Sequence, residues 1–119
     1  TGTVTITLNL TKDAAGNITA ATADFVVTLA GFPAGTVLTG AHIHQAAAGA
    51  SSGVVWNTGL TNGELTLTNG TANFSKLGVV APTLELPQAI INNPAGFYFN
   101  VHTQANTQGA VRNQLTRAN

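Results

Sequence analysis

The segment Thr3-Val-Thr-Ile-Thr-Leu-Asn-Leu10 alternates without a break. Successive side chains of an extended chain point to opposite faces, so Val4, Ile6, Leu8 and Leu10 share one face and Thr3, Thr5, Thr7 and Asn9 the other. The same residues wound into a helix would scatter their apolar groups around it. The chain therefore opens with a half-buried β-strand. Lys12–Asn17 supplies Asp, Gly and Asn for a turn, and Ile18–Leu29 is a second extended segment with Phe25, Val27 and Leu29 on one face. Together they predict a long hairpin.

Composition carries the argument to the rest of the chain. Of 119 residues, 44% are hydrophobic and only 7% charged, with a formal net charge of zero. The polar surface must then be built from Thr, Asn, Ser and Gln, which suit strands and turns, because Lys and Glu are scarce. Gly31–Gly35 breaks the hairpin, and strands follow over Val37–His44, Val54–Trp56, Leu65–Leu67, Phe74–Leu77, Phe97–Thr103 and Ala110–Leu115. Gln45–Ser52 has no apolar period and reads as a loop. Within Pro82–Pro94, an early Pro87, apolar Ile90 and Ile91 and the closing Pro94 predict one short helix near 85–93. The expected fold is all-β: a Greek-key-like antiparallel β-sandwich of about seven to nine strands, in one domain spanning residues 1–119.

The same composition excludes several partners. Lys12, Lys76, Arg112 and Arg117 are scattered, so there is no stripe of positive charge for nucleic acid or for an anionic membrane surface. The apolar runs are too short for membrane insertion. A chain without net charge lacks self-repulsion, which favours self-association into an oligomer or filament. Strand 3–10 either pairs within its own fold or completes the sheet of a neighbouring subunit. With no cysteine, disulfide and thiolate chemistry are absent. The start at Thr1 and the Thr-, Asn- and Gly-rich composition suggest a secreted, extracellular protein whose export segment has been removed.

All three histidines fall in two strand motifs. In Gly40-Ala-His-Ile-His44, His42 and His44 share the face opposite Ala41 and Ile43. In Phe97-Tyr-Phe-Asn-Val-His-Thr103, Tyr98, Asn100 and His102 share the face opposite Phe97, Phe99 and Val101. Residues two apart on a strand are separated by about 6.5–7 Å and neighbouring strands by about 4.8 Å, so three imidazoles converge if the two strands adjoin. Imidazole suits zinc, copper and nickel, and copper leads the divalent affinity series. Copper, with zinc as the alternative, is thus the expected cofactor of His42, His44 and His102. Isolated histidines on strand surfaces are common, and the alternative is that they bind nothing.

Through these residues the sequence resembles the chordin-type, or CHRD, domain family. The likeness runs through Leu29-Ala-Gly-Phe-Pro-Ala-Gly35, Gly40-Ala-His-Ile-His44, Gly53-Val-Val55, Gly96-Phe-Tyr-Phe-Asn-Val-His-Thr103 and Gly109-Ala-Val-Arg-Asn-Gln-Leu115. It departs from the family's usual Arg-Gly-Gln-Leu ending at Asn113. This resemblance covers roughly residues 25–117 and implies a secreted or surface β-rich module without an established enzymatic activity. A looser likeness to copper–zinc superoxide dismutase rests on the His-x-His strand alone. That enzyme needs a further copper-side histidine and a zinc-site Asp, which this chain lacks, so dismutase activity is not expected.

Other residues carry less. Tyr98, on the face of His102, and Arg112, on the last strand, are the candidates to support the histidines from behind. Arg112 either orients a loop carbonyl or anion, or pairs with Asp24 or Glu85. Trp56 fits a core edge or an interface. Glu64 and Glu85 have nothing to bring them together, and Ser51 and Ser52 sit in a loop, so neither a carboxylate pair nor a serine triad is suggested and no enzyme is expected. The functional expectation is an extracellular, self-assembling structural subunit that holds a metal. The alternatives are a monomeric copper- or zinc-binding or delivery protein and, less favoured, a copper redox enzyme.

Overall fold

The structure, a computed structural model, describes residues 2–117. Thr1, on which the expectation of a removed export segment rests, lies outside it with residues 118–119. The alternating N-terminal segment forms β1 (Gly2–Lys12), which pairs antiparallel with β2 (Ile18–Leu29) from Gly2 opposite Leu29 to Thr11 opposite Ala20. The chain then crosses to a second sheet for β3 (Thr36–Gln45), β4 (Val54–Asn57) and the two-residue β5 (Thr66–Leu67). It returns for β6 (Ala72–Val80), which pairs with β2, and crosses again through α1 (Glu85–Asn92) to β7 (Phe97–Thr103) and β8 (Val111–Gln114). One sheet has the order β1-β2-β6 and the other β4-β3-β7-β8, with β5 beside β3.

The sheets meet on their apolar faces. Phe25 of β2, fully buried, packs edge-on against Trp56 of β4 at 6.1 Å and stacks on Phe99 of β7 at 5.9 Å. Leu38, Ala41, Ile43, Leu67 and Val101 complete the centre of this core. Pro87 lies in the first turn of α1, where its missing N–H breaks no helical bond, and is buried with Ile90. Among the described residues the fold is therefore an all-β sandwich of eight strands with one α-helix.

β6 departs furthest from the length that the sequence predicts. The expected strand Phe74–Leu77 extends over Ala72–Val80 because Gly78, at φ 64°, allows a bulge. The Asp24 carboxylate accepts the Gly78 N–H at 2.8 Å, and pairing resumes at Val79 and Val80. At Asn113, where the family's usual glycine is replaced, β8 runs as regular strand opposite Phe99.

β1 lies at one edge of its sheet, and its apolar residues are only half-buried. Val4, Ile6 and Leu8 face an apolar groove of about 590 Å³, closed on the other side by Ile90, Val111 and Leu115. Among the described residues, no helix is long and apolar enough to cross a membrane.

Candidate metal centre

β3 and β7 are direct neighbours. Their antiparallel register sets Gly40 opposite His102, His42 opposite Asn100 and His44 opposite Tyr98. Ala41, Ile43, Phe99 and Val101 fill the core between the sheets, so period 2 turns the histidines to the outer face of the second sheet. There the ring centroids of His42 and His102 are 4.8 Å apart, those of His44 and His102 5.6 Å, and those of His42 and His44 5.7 Å. One ligand atom from each of the three lies within 4.8 Å of the others. A point between atoms so spaced is at most about 2.8 Å from each, and a small inward shift of the rings reaches the roughly 2.0–2.1 Å of a metal–imidazole bond. Among the described residues, no Asp or Glu joins the group.

The hydrogen bonds decide which nitrogens are free. His44 Nδ1 lies 2.9 Å from the Ser52 carbonyl oxygen, and His102 Nδ1 lies 2.9 Å from that of Thr107. A carbonyl oxygen only accepts, so each Nδ1 carries the proton and each neutral ring turns its Nε2 lone pair to the cluster. Both Nε2 atoms, and Nδ1 of His42, are buried without a hydrogen-bond partner. Leaving a buried polar atom unpaired costs about 1–3 kcal/mol. Here each of three adjoining rings carries one such atom. Burial, followed by the charges that His102 and His44 would carry, lowers the His42 pKa to about 4, so this ring is a neutral donor at physiological pH.

A frame of side chains holds the loop that carries the Ser52 carbonyl. The Tyr98 ring stacks on His44 with centroids 4.8 Å apart, and the Arg112 guanidinium lies 3.6 Å from the Tyr98 ring centre. Arg112 also donates to the Ala50 carbonyl at 2.8 Å, Gln114 Nε2 to that of Ala46 at 2.9 Å, and the Ser52 N–H to the Tyr98 hydroxyl at 3.4 Å. These bonds draw residues 46–53 over the outer face, and this explains why Tyr98 is only 2% exposed there. Of the two readings of Arg112, the loop carbonyl is the one the structure contains. Pairing with Asp24 or Glu85 is overturned: Asp24 accepts from Gly78 and Asn9, and among the described residues the one ion pair joins Lys76 to Glu64. Trp56 belongs to the core.

The turn after β7 is held differently. Asn100 is buried and donates to the Gln108 carbonyl at 3.1 Å. Its amide fills the space that a side chain on Gly109 would need. This packing keeps the turn close enough for Thr107 to reach His102. Asn100 was not among the sequence candidates, although it shares the predicted face of His102 and Tyr98, a signal that could have singled it out. Ser52, Thr107 and Gln114 carried no such signal.

No curated protein and no solved structure matches the chain. The family model of the CHRD domain matches residues 1–115, which extends the likeness forward over the N-terminal strand. The chain belongs to the CHRD domain family.

Proposed function

We propose that this CHRD chain is an extracellular binding and structural module, not an enzyme, that holds one transition-metal ion between His42, His44 and His102. The observation that carries the reading is the meeting of three histidine rings, each with a buried nitrogen that has no hydrogen-bond partner. Two of the rings are held through their other nitrogen by backbone carbonyls, the usual way a protein orients metal-binding imidazoles. A donor set of neutral nitrogens without sulfur suits copper(II) first and zinc second. The extracellular assignment rests on the family, since CHRD domains are typical of extracellular proteins. Burial of all three donor atoms favours a held ion over one open to substrate.

Calorimetric titration with copper(II) and with zinc tests this. The wild type is expected to bind one ion per chain, and His42→Ala/His44→Ala, checked for folding by circular dichroism, to lose it. Equal binding by the two proteins overturns the assignment.

Assembly is the second part of the reading. β1 is an eleven-residue edge strand. Its half-buried Val4, Ile6 and Leu8 face an apolar groove, and the zero net charge opposes no contact between copies. Such an edge suits pairing with β1 of a second copy. Electron microscopy and sedimentation at micromolar concentration, with and without copper, are expected to show oligomers or filaments. Monodisperse monomers under both conditions overturn assembly and leave a monomeric metal-binding or delivery protein.

A further inference from the structure

Gly40 and His42 are two apart on β3 and therefore share the face of the histidine cluster. The His42 ring folds back along the strand and lies across Gly40. A Cβ on Gly40 would stand 2.9 Å from both Cε1 and Nε2 of that ring, but 3.9 Å from its Nδ1. The outer edge of the imidazole thus occupies the space that any other residue at position 40 would fill, and Nδ1 is the nitrogen of this ring that is buried without a partner. Gly40 also pairs with His102, which brings His42 closest to that ring, at 4.8 Å.

Backbone conformation does not call for glycine here. Gly40 is absent from the glycines with positive φ and sits within a paired strand. Space is the reason. We propose that Gly40 is a positioning residue that selects Nδ1 as the His42 donor, so that the site binds metal through one Nδ1 and two Nε2 atoms.

The inference rests on the metal reading, but its geometry can be tested apart from it. Alanine at position 40 leaves the strand intact, since the only clash is with the far end of a flexible side chain. The ring must swing away, and Nδ1 leaves the cluster with it. In the metal-free protein, NMR is expected to show a nuclear Overhauser contact between Gly40 Hα and His42 Hε1; its absence overturns the proposal.

With copper(II), Gly40→Ala is expected to melt near the wild type yet bind about 10–100-fold more weakly, the range found when the support of a metal ligand is removed. Its electron paramagnetic resonance is expected to show two coordinated imidazoles where the wild type shows three. Added to His42→Ala, the glycine change is expected to cost no further affinity, because it acts through His42. Undiminished binding by Gly40→Ala, or a further loss in the double variant, overturns the role of Gly40. A wild type that binds neither copper nor zinc while keeping the Gly40–His42 contact overturns the metal reading, and the donor assignment with it.

Discussion

His44 and Tyr98 face each other across β3 and β7 with their rings 4.8 Å apart and only 5° from parallel. Arg112 lies on the same tyrosine ring, so a candidate ligand, an aromatic spacer and a cation from the last strand form one stack. This stack joins β8 to the loop over residues 46–53, whose Ser52 carbonyl orients His44.

Arg112→Ala removes both the contact with Tyr98 and the bond to the Ala50 carbonyl. The expected result is a loop that opens more readily, faster hydrogen exchange at the Ser52 amide, and copper affinity reduced about 10–100-fold. Arg112→Lys keeps the charge but not the planar stacking group, and is expected to fall between the two. Unchanged exchange and affinity in Arg112→Ala would show that the loop is held without it.

The pH dependence of the metal-free protein follows from His42. Its folded pKa, about 4, is below the ordinary 6.5. Between these values the unfolded chain takes up a proton that the folded chain does not, so folding stability rises with pH across this window. The contribution of His42 is fully present above about 6.5, is lost as pH falls towards 4, and changes no further below that. Urea titrations of wild type and His42→Ala at several pH values check this. The variant is expected to have a flatter profile between pH 4 and 6.5, and parallel profiles would refute the assignment.

Phe25 is the hinge of the inter-sheet packing, with Trp56 on one side and Phe99 on the other. Phe25→Ala is expected to cost about 3–5 kcal/mol, the range for deleting a buried aromatic ring. Thr5→Ala, exposed on the outer face of β1, is expected to change stability by no more than about 0.5 kcal/mol. Chemical denaturation distinguishes the two. A small loss at Phe25 would mean that the sheets are not held together at this point.

If β1 is the assembly edge, Thr5→Lys/Thr7→Lys places positive charges along it without touching the core. Like charges then oppose each other between copies, a device by which natural edge strands avoid pairing. Sedimentation velocity is expected to show the variant as monomer under conditions where the wild type associates, with the same melting temperature. Association equal to that of the wild type would place the contact elsewhere.

Period-2 alternation is a local property, so the sequence alone determined that Val4, Ile6 and Leu8 share a face, that His42 and His44 share another, and that His102 stands opposite Phe99 and Val101. The short helix was legible for a similar reason, since Pro87 and Pro94 restrict their own backbones. The length of β6 was less so, because Gly78 reads as a strand end until Asp24, far away in the chain, is there to bond its N–H.

Only the tertiary structure decided that β7 lies beside β3, and in a register that faces His102 across to Gly40. A slip of one residue would have turned that histidine towards the core. It also decided what holds the rings. The Ser52 and Thr107 carbonyls are backbone groups that every residue possesses, so no residue type advertises them. Tyr98 and Arg112 could be suspected from their faces, but the stacking of Tyr98 on His44 and of Arg112 on Tyr98 depends on three strands meeting. Gly40 depends on more still: its part in the site exists only once the ring of His42 lies across it, and an empty side-chain position has no signature until a neighbour fills it.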